Sequence, residues 1–383
     1  RALSRLAHFA FSGRLTTVYI DSGVLVAAYF WLKKEALTTS MSDLDGLSEA
    51  QAHAFLAGMR WQSEDHQVCP DCGVRDKHYF RCSRLQWSCK HCFSTFSVTS
   101  GTAFHGHKLK CRVLLKALFY FAINQKGLSA LALRRYLGVQ YRTAYLLMHK
   151  IREAIMLSTE VRPLSGHVEI DGGHFSGKKR KPRKVAEKEL PKLAKKYQHR
   201  DKVGPAENPF HENRRIIIVF RECDTRPLEQ GGRPGAIRTI TAICKAEDSQ
   251  VVPLVERYVK KGSKVYTDEL PAYRKLQYIG FSHETVNHSR EFSTDAGVNQ
   301  NQAESYFSRL RRAFIGVFHR ITPRYMLDYS CEMNWREDMR RTDLLGQVTD
   351  LFYKVTNTPH SKDWRNYVRG NKREGELRTI PGL

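Results

Sequence analysis

The sequence predicts a multidomain chain: a small β zinc ribbon near the N-terminus, a three-helix helix-turn-helix region, and an α/β domain built on a mixed sheet. Three observations predict it. Two Cys-x-x-Cys pairs stand 16 residues apart between Cys69 and Cys92. Apolar residues from about 108 to 160 recur at helical spacing, broken by glycines. After Pro163, short β-branched runs alternate with helical stretches. With 383 residues, 41% of them apolar, the chain can form two or three domains with real cores. Lys and Arg outnumber Asp and Glu by 63 to 39, a net charge of +24, so a polyanion, nucleic acid first, is the expected partner. No run approaches the roughly 18 apolar residues of a membrane helix, so no membrane partner is expected. Nine cysteines, an odd number scattered over a long chain, do not read as a secreted disulfide framework. A reducing cytoplasm fits better.

Residue 1 is Arg, and the first Met is Met41. The apolar stretch Val24 to Leu32 is short and lacks a small-residue cleavage site after it. Residues 1–40 therefore read as a non-native or upstream extension. Residues 41–68 read as an N-terminal helix, because Ser48 and Gln51 have the spacing of a capping box.

Residues 69–104 form the expected ribbon. Cys69, Cys72, Cys89 and Cys92 give each knuckle two thiolates, and two knuckles complete a tetrahedron around one structural Zn²⁺. Four thiolates leave no open position, so this ion folds a module. Aromatic and β-branched neighbours (Tyr79, Phe80, Trp87, Phe93, Phe96, Val98) predict short strands. Gly73 supplies a permissive backbone after the first knuckle. Phe93 occupies the matching place in the second, which predicts a different turn there. Cys82 is expected as a packed strand thiol.

Residues 105–160 carry a net charge of +8. Leu114, Leu115, Leu118, Phe119 and Ala122 mark a first helix, Leu128 to Tyr136 a second, and Tyr141 to Ile155 a third. The third, with Arg142, Tyr145, His149, Lys150 and Arg152, is expected to read the DNA major groove. The competing reading is a plain bundle with a solvated basic face.

Residues 161–345 form the expected catalytic α/β domain, followed by a C-terminal tail at 346–383. Strands are predicted at 167–174, 214–221, 237–244 and 264–268, with helices at 250–259 and 298–314. The segment 176–215 is a basic insertion with 14 Lys and Arg against 5 Asp and Glu. Lys178, Lys179 and Arg180 in it are expected at the DNA backbone; the competing reading is a solvated loop. Asp171 and Asp268 stand at strand ends, and Glu304 on a helix. Acids gathered this way call for divalent cations. Two Mg²⁺ or Mn²⁺ ions, roughly 3.5–4 Å apart, can flank a phosphorus atom, and hard oxygen ligands suit them. Arg311 lies two helical turns beyond Glu304, placed to hold a phosphate, and Asn301 stands beside the triad.

The order ribbon, helical region and Asp…Asp…Glu domain resembles the DDE transposases of bacterial insertion sequences. The resemblance is to the zinc-ribbon-bearing branch related to the eukaryotic Merlin elements. It runs from about Met41 to Arg341. It rests on Cys69-Pro-Asp-Cys-Gly, Cys89-Lys-His-Cys, Ser100-Gly-Thr-Ala-Phe, Val168-Glu-Ile-Asp171-Gly, Tyr266-Thr-Asp268, Val286-Asn-His288-Ser, Asn301-Gln-Ala-Glu304-Ser-Tyr-Phe and Gly316-Val-Phe-His-Arg. It implies an RNase H-like fold with two Mg²⁺ ions on Asp171, Asp268 and Glu304. It also implies nicking at terminal inverted repeats and attack of the freed 3′-hydroxyl on target DNA, with no covalent enzyme–DNA intermediate. His288 is expected at DNA. A homodimer or larger assembly on double-stranded DNA is implied, working in a bacterial cytoplasm at the nucleoid. The chain departs from the family pattern at Gly172-Gly173-His174, where an acid and an aromatic are usual, and in the long insertion. An RNase H-like nuclease or resolvase would keep the acids without the bipartite front end. A zinc-dependent regulator would explain charge and zinc but not the triad.

Overall fold

The computed structural model describes residues 34–63, 65–160, 162–175, 214–224, 226, 235–245, 247–285, 301–361 and 363–382. Two capped helices open it, α1 (Met41–Asp45) and α2 (Glu49–Trp61). The Ser48–Gln51 capping box is formed in both directions. Strands β1 (Gln67–Val68), β2 (Arg75–Asp76), β3 (Tyr79–Arg81), β4 (Gln86–Ser88) and β5 (Thr95–Phe96) make a two-stranded and a three-stranded antiparallel sheet. α2 is packed onto this ribbon. Trp61 meets Trp87 edge-on, His53 stacks on Trp87, and half-buried Arg60 donates to the carbonyls of Val98 and Ser100 at 2.7 and 2.9 Å.

The two knuckles correct one expectation. Gly73 N–H donates to Cys69 O at 2.9 Å, and Phe93 N–H donates to Cys89 O at 3.2 Å. Gly73 has φ of 75° and Phe93 has φ of 61°, so both turns are of one kind. Only the first has the residue that suits it; Phe93 adopts the left-handed backbone with its ring in solvent. Cys82 is also corrected: it lies exposed in the turn after β3, not packed.

Helices α3 (Cys111–Ile123), α4 (Ala130–Leu137) and α5 (Tyr141–Leu157) follow. Glu49 of α2 accepts the first amides of α3, from Cys111 and Arg112, where carboxylates suit the helix dipole. α4 ends on Gly138 with φ of 65°, and α5 starts three residues later. α5 is not a free reading helix. From Ala144 onward most of it is buried, because α8 (Met326–Asp338) and α9 (Leu344–Asn357) pack against it. The expectation for Lys150 is corrected accordingly: it is 7% exposed and donates to His105 O at 3.3 Å. His149 is buried among Tyr145, Tyr329 and Trp364, and Arg152 is buried on Glu332.

The region 346–383 is no tail. α9 packs on α2, α3 and α5. Beyond it, Arg373 grips buried Asp328 through two bonds of 2.6 and 3.0 Å, and Arg378 O accepts Ile243 N–H at 2.7 Å.

The remaining strands are β6 (His167–Phe175), β7 (Arg215–Asp224), β8 (Gly235–Cys244), β9 (Lys264–Thr267) and β10 (Ser282–Thr285). They form one mixed sheet in the order β10-β9-β6-β7-β8. β6, β7 and β8 are antiparallel neighbours; β9 and β10 run parallel to β6. α6 (Glu247–Tyr258) links β8 to β9, and α7 (Asn301–Ala313) follows β10. Most of the insertion, with its expected helix at 185–197, lies outside the described residues, as do 1–33 and 286–300.

The helical region and the sheet meet across α8, whose inner face carries charge. Glu332 is 1% exposed and bonds Arg152 Nε at 2.6 Å and Arg336 Nη2 at 2.7 Å. Burial works against its ionisation, but Arg152 and Arg336 outweigh burial and hold the carboxyl below its usual range. A depressed carboxyl adds stability above its unfolded pKa and loses it as pH falls through the folded value. Glu332→Ala leaves two buried guanidinium groups uncompensated and should cost about 3–5 kcal/mol. Urea unfolding at neutral pH checks this, and the deficit should shrink as the pH falls below that of ordinary carboxyl titration.

Candidate active site

The three acids are set by strand register and helix phase. β6 and β9 pair in parallel with Val168 opposite Val265 and Glu169 opposite Tyr266. Two residues further along the same register, Asp171 comes level with Asp268, just past the end of β9. Neighbouring strands lie about 4.8 Å apart. Both acids are half-buried. Asp171 Oδ1 accepts Gly172 N–H at 2.7 Å, and Asp268 Oδ1 accepts Leu270 N–H at 3.2 Å. Behind Asp268, the Thr267 hydroxyl donates to the Asp268 carbonyl at 2.8 Å and sits 2.8 Å from His283 Nε2.

Glu304 comes from α7, which lies on the face of β6 that carries the odd-numbered residues. Glu169 Oε2 accepts the amides of Gln302 and Ala303 at 2.9 and 3.1 Å, seating the helix N-terminus on the sheet. Burial pushes the Glu169 carboxyl up, against the pull of those amides. Gly173 lies under the Phe307 ring, and Phe175 meets Phe307 with centroids 6.0 Å apart. Asp171, between Glu169 and Gly173, is thus level with the turn that carries Glu304. Helix phase decides the direction. Gln302 turns toward β7 and β8, its carbonyl accepting Arg221 Nη1 at 2.7 Å and its side chain beside Ala236. Glu304, about 200° further round the axis, turns the other way, toward β9 and Asp268. It is exposed.

Asn301 opens α7 and is exposed. Arg311, also exposed, is two turns beyond Glu304, its guanidinium 5.5 Å from the centre of the Phe307 ring. His174, at the end of β6, is held below its usual pKa first by burial, then by Arg214 and Arg311. Lys178, Lys179, Arg180 and His288 lie outside the described residues. On the helical region, Arg142 is exposed at the start of α5 and Tyr145 half-buried one turn on. Arg134 and Arg135 of α4, which the sequence reading did not assign to DNA, are exposed beside the same turn.

Among the described residues, two groups bring at least three possible metal ligands within 4.8 Å of one another: Cys69, Cys72, Cys89 and Cys92, and His167, Glu169 and Cys223. Asp171, Asp268 and Glu304 do not close on one point in this way; their all-oxygen donor set still suits hard cations. The four thiols fit zinc closely. Their sulfurs approach to 3.7 Å (Cys69–Cys92) and 3.6 Å (Cys72–Cys89). Zn–S bonds of 2.3 Å in a tetrahedron require roughly 3.8 Å.

Residues 163–338 match the family model described as the ISXO2-like transposase domain, and residues 47–95 match the transposase zinc-ribbon domain. Residues 163–338 thus carry an ISXO2-like transposase domain, preceded by a transposase zinc ribbon. No match is found among the curated proteins. The zinc-ribbon match starts at α2, consistent with the packing of that helix on the ribbon. The transposase-domain match spans all three acids and ends with α8. Within it, the sequence reading missed Glu169, Gly173 and Arg221, which together seat α7. The acid two residues before Asp171, on the same strand face, was the available signal.

The close approach of Phe307 requires a glycine at position 173. A Cβ there would meet three carbons of the Phe307 ring, the farthest at 2.9 Å. Gly173→Ala should therefore lift α7 from β6, costing about 1–3 kcal/mol by overpacking. Thermal unfolding measures the loss, and Gly173→Ala combined with Phe307→Leu should regain part of it.

Proposed function

We propose that this transposase binds the terminal inverted repeats of its own insertion sequence and cuts DNA there by metal-dependent hydrolysis. It then joins the freed 3′-hydroxyl ends to target DNA by direct transesterification. The observation that carries the reading is the β6–β9 register, which sets Asp171 level with Asp268 just past the end of β9, on the side toward which α7 turns Glu304. A five-stranded sheet with three antiparallel strands followed by two parallel ones is the arrangement an RNase H-like domain would have, and supports that reading.

In this account Asp171, Asp268 and Glu304 hold two Mg²⁺ or Mn²⁺ ions. The ions, when bound, activate the attacking oxygen and stabilise the leaving one. The protein supplies positions. Asp171 and Asp268 are fixed by adjacent strands, and Glu304 by a helix seated through Glu169. Arg311 and Asn301 flank the acids on α7 and take the DNA phosphates. The 3′-hydroxyl from the first cut attacks the target phosphodiester, so the bond formed replaces the bond broken and no covalent enzyme–DNA link is needed. Asp268→Asn should leave binding of terminal-repeat DNA intact and reduce both nicking and strand transfer to background. Loss of nicking alone, with strand transfer of pre-nicked ends retained, would defeat the single-site reading. Strand transfer by the wild type separates a transposase from a nuclease or resolvase.

DNA contact by the helical region is proposed for the start of α5 and the adjoining turn, through Arg142 and Tyr145. Helix N-termini reach base edges in this kind of docking. Lys178, Lys179, Arg180 and His288 are proposed as further DNA contacts, and two protomers as the unit that pairs the element's two ends inside the cell at the nucleoid. Arg142→Ala should weaken repeat binding by about 1–3 kcal/mol if it reads a base, or lower the salt slope by about one if it holds a phosphate. Binding titrations at several salt concentrations distinguish the two, and no change in either would remove Arg142 from the interface.

A further inference from the structure

A second group of metal-ligating side chains lies beside the proposed catalytic acids and has no part in that chemistry. His167 and Cys223 are cross-strand partners on β6 and β7, and Glu169 follows His167 on the same face. Their ligand atoms all lie within 4.8 Å of one another, and Cys223 Sγ is 3.6 Å from Glu169 Oε1. Glu169 is 2% exposed. Its other oxygen is committed to the α7 amides, so Oε1 is the one turned to the cluster. His167 Nε2 is buried without a hydrogen-bond partner among the described residues. Its ring stands edge-on to Tyr266 at 4.2 Å, which fixes its plane. A buried imidazole nitrogen lacking a partner costs free energy that a bound ion would recover.

We propose that His167, Glu169 and Cys223 form a second zinc site. One nitrogen, one carboxylate oxygen and one thiolate are a donor set that zinc takes, with a water completing the tetrahedron, and the sulfur turns the site away from Mg²⁺. On binding, the Cys223 thiol proton, now donated to Glu169 Oε1, leaves to solvent. The three ligands draw in from their present spacing by small side-chain rotations. Asp171 is two residues along the same strand face, about 7 Å away, so the site is separate from the acids but rigidly joined to them. Through Glu169 the ion would lock the β6–β7 pair to the N-terminus of α7, the helix that carries Glu304. It acts as a positioning device, and its existence does not depend on the catalytic reading.

The test counts zinc in the full-length protein, by elemental analysis after dialysis at fixed low zinc with excess Mg²⁺. Two zinc ions per chain are expected in the wild type and in Asp268→Asn, and one in Cys223→Ser and in His167→Ala. One ion in the wild type, or two in both variants, overturns the proposal. To guard against a variant that fails to fold, the wild type is dialysed against a mild chelator until only the ribbon zinc remains and is then titrated with Co²⁺. One equivalent should fill the emptied site and produce a thiolate-to-cobalt absorption band, which the ribbon, still holding its zinc, does not supply. Folded Cys223→Ser, verified by circular dichroism, should lack the band. Absence of the band in the wild type, or its persistence in that variant, counts against the site.

Discussion

The seating of α7 on β6 is the constraint from which the site follows. A buried carboxylate, Glu169, accepts two amides at the start of the helix, and a glycine four residues further along β6 lets the Phe307 ring come close against the strand. The first contact sets where the helix begins and the second sets how close it comes. Between them the helix has one angular position, which Arg221 enforces from the next strand by holding the Gln302 carbonyl. Glu304 is aimed by the helix that carries it, and it stands exposed on that helix.

Buried charge does the corresponding work between the helical region and the sheet. Arg221 reaches Glu337 at 3.2 Å, and Arg309 of α7 pairs with the same carboxylate. Arg152 and Arg336 share Glu332, and Arg373 holds Asp328. Three acids of one helix, α8, thus collect arginines from α5, α7, β7 and the C-terminal segment. Such pairs give little net stability over apolar packing, but each is severe to break from one side. Their geometry permits few ways of assembling the surrounding elements.

Much of this was legible in the sequence where one local pattern decides the answer. The cysteine spacing announced the ribbon, and Asp268 just past a strand and Glu304 on a helix stand as expected; Asp171, expected at a strand end, stands in the middle of β6, because that strand runs on through Gly172-Gly173-His174 to Phe175. Other features depend on partners far along the chain. Lys150 and Arg152 look like a basic helical face because their partners, His105 and Glu332, are 45 and 180 residues away. Glu169 was within a recognised motif, yet its role depends on amides 133 and 134 residues on. Phe93 misled because a side chain that disfavours a turn does not forbid it when two metal-binding thiols impose that turn. The helix α9 was overlooked despite a regular apolar face of Leu344, Val348, Leu351, Phe352 and Val355 behind an Asp343 cap. That signal was local and available.

The packing of α8 and α9 against α2, α3 and α5 bears on how such a protein can diversify. The helices proposed to meet DNA are not a detachable front end. Their inner faces are finished by α8, the last helix of the transposase-domain match, and by α9 beyond it, with Thr38 bonded to Asp343 across 305 positions. An exchange of N-terminal halves between relatives would strand Arg152 and the apolar faces of α3 and α5 without their complements. With the α4–α5 turn as the proposed DNA contact, a new specificity is more accessible through surface substitutions there than through shuffling of whole modules. Where shuffling does succeed, both ends of the chain must travel together.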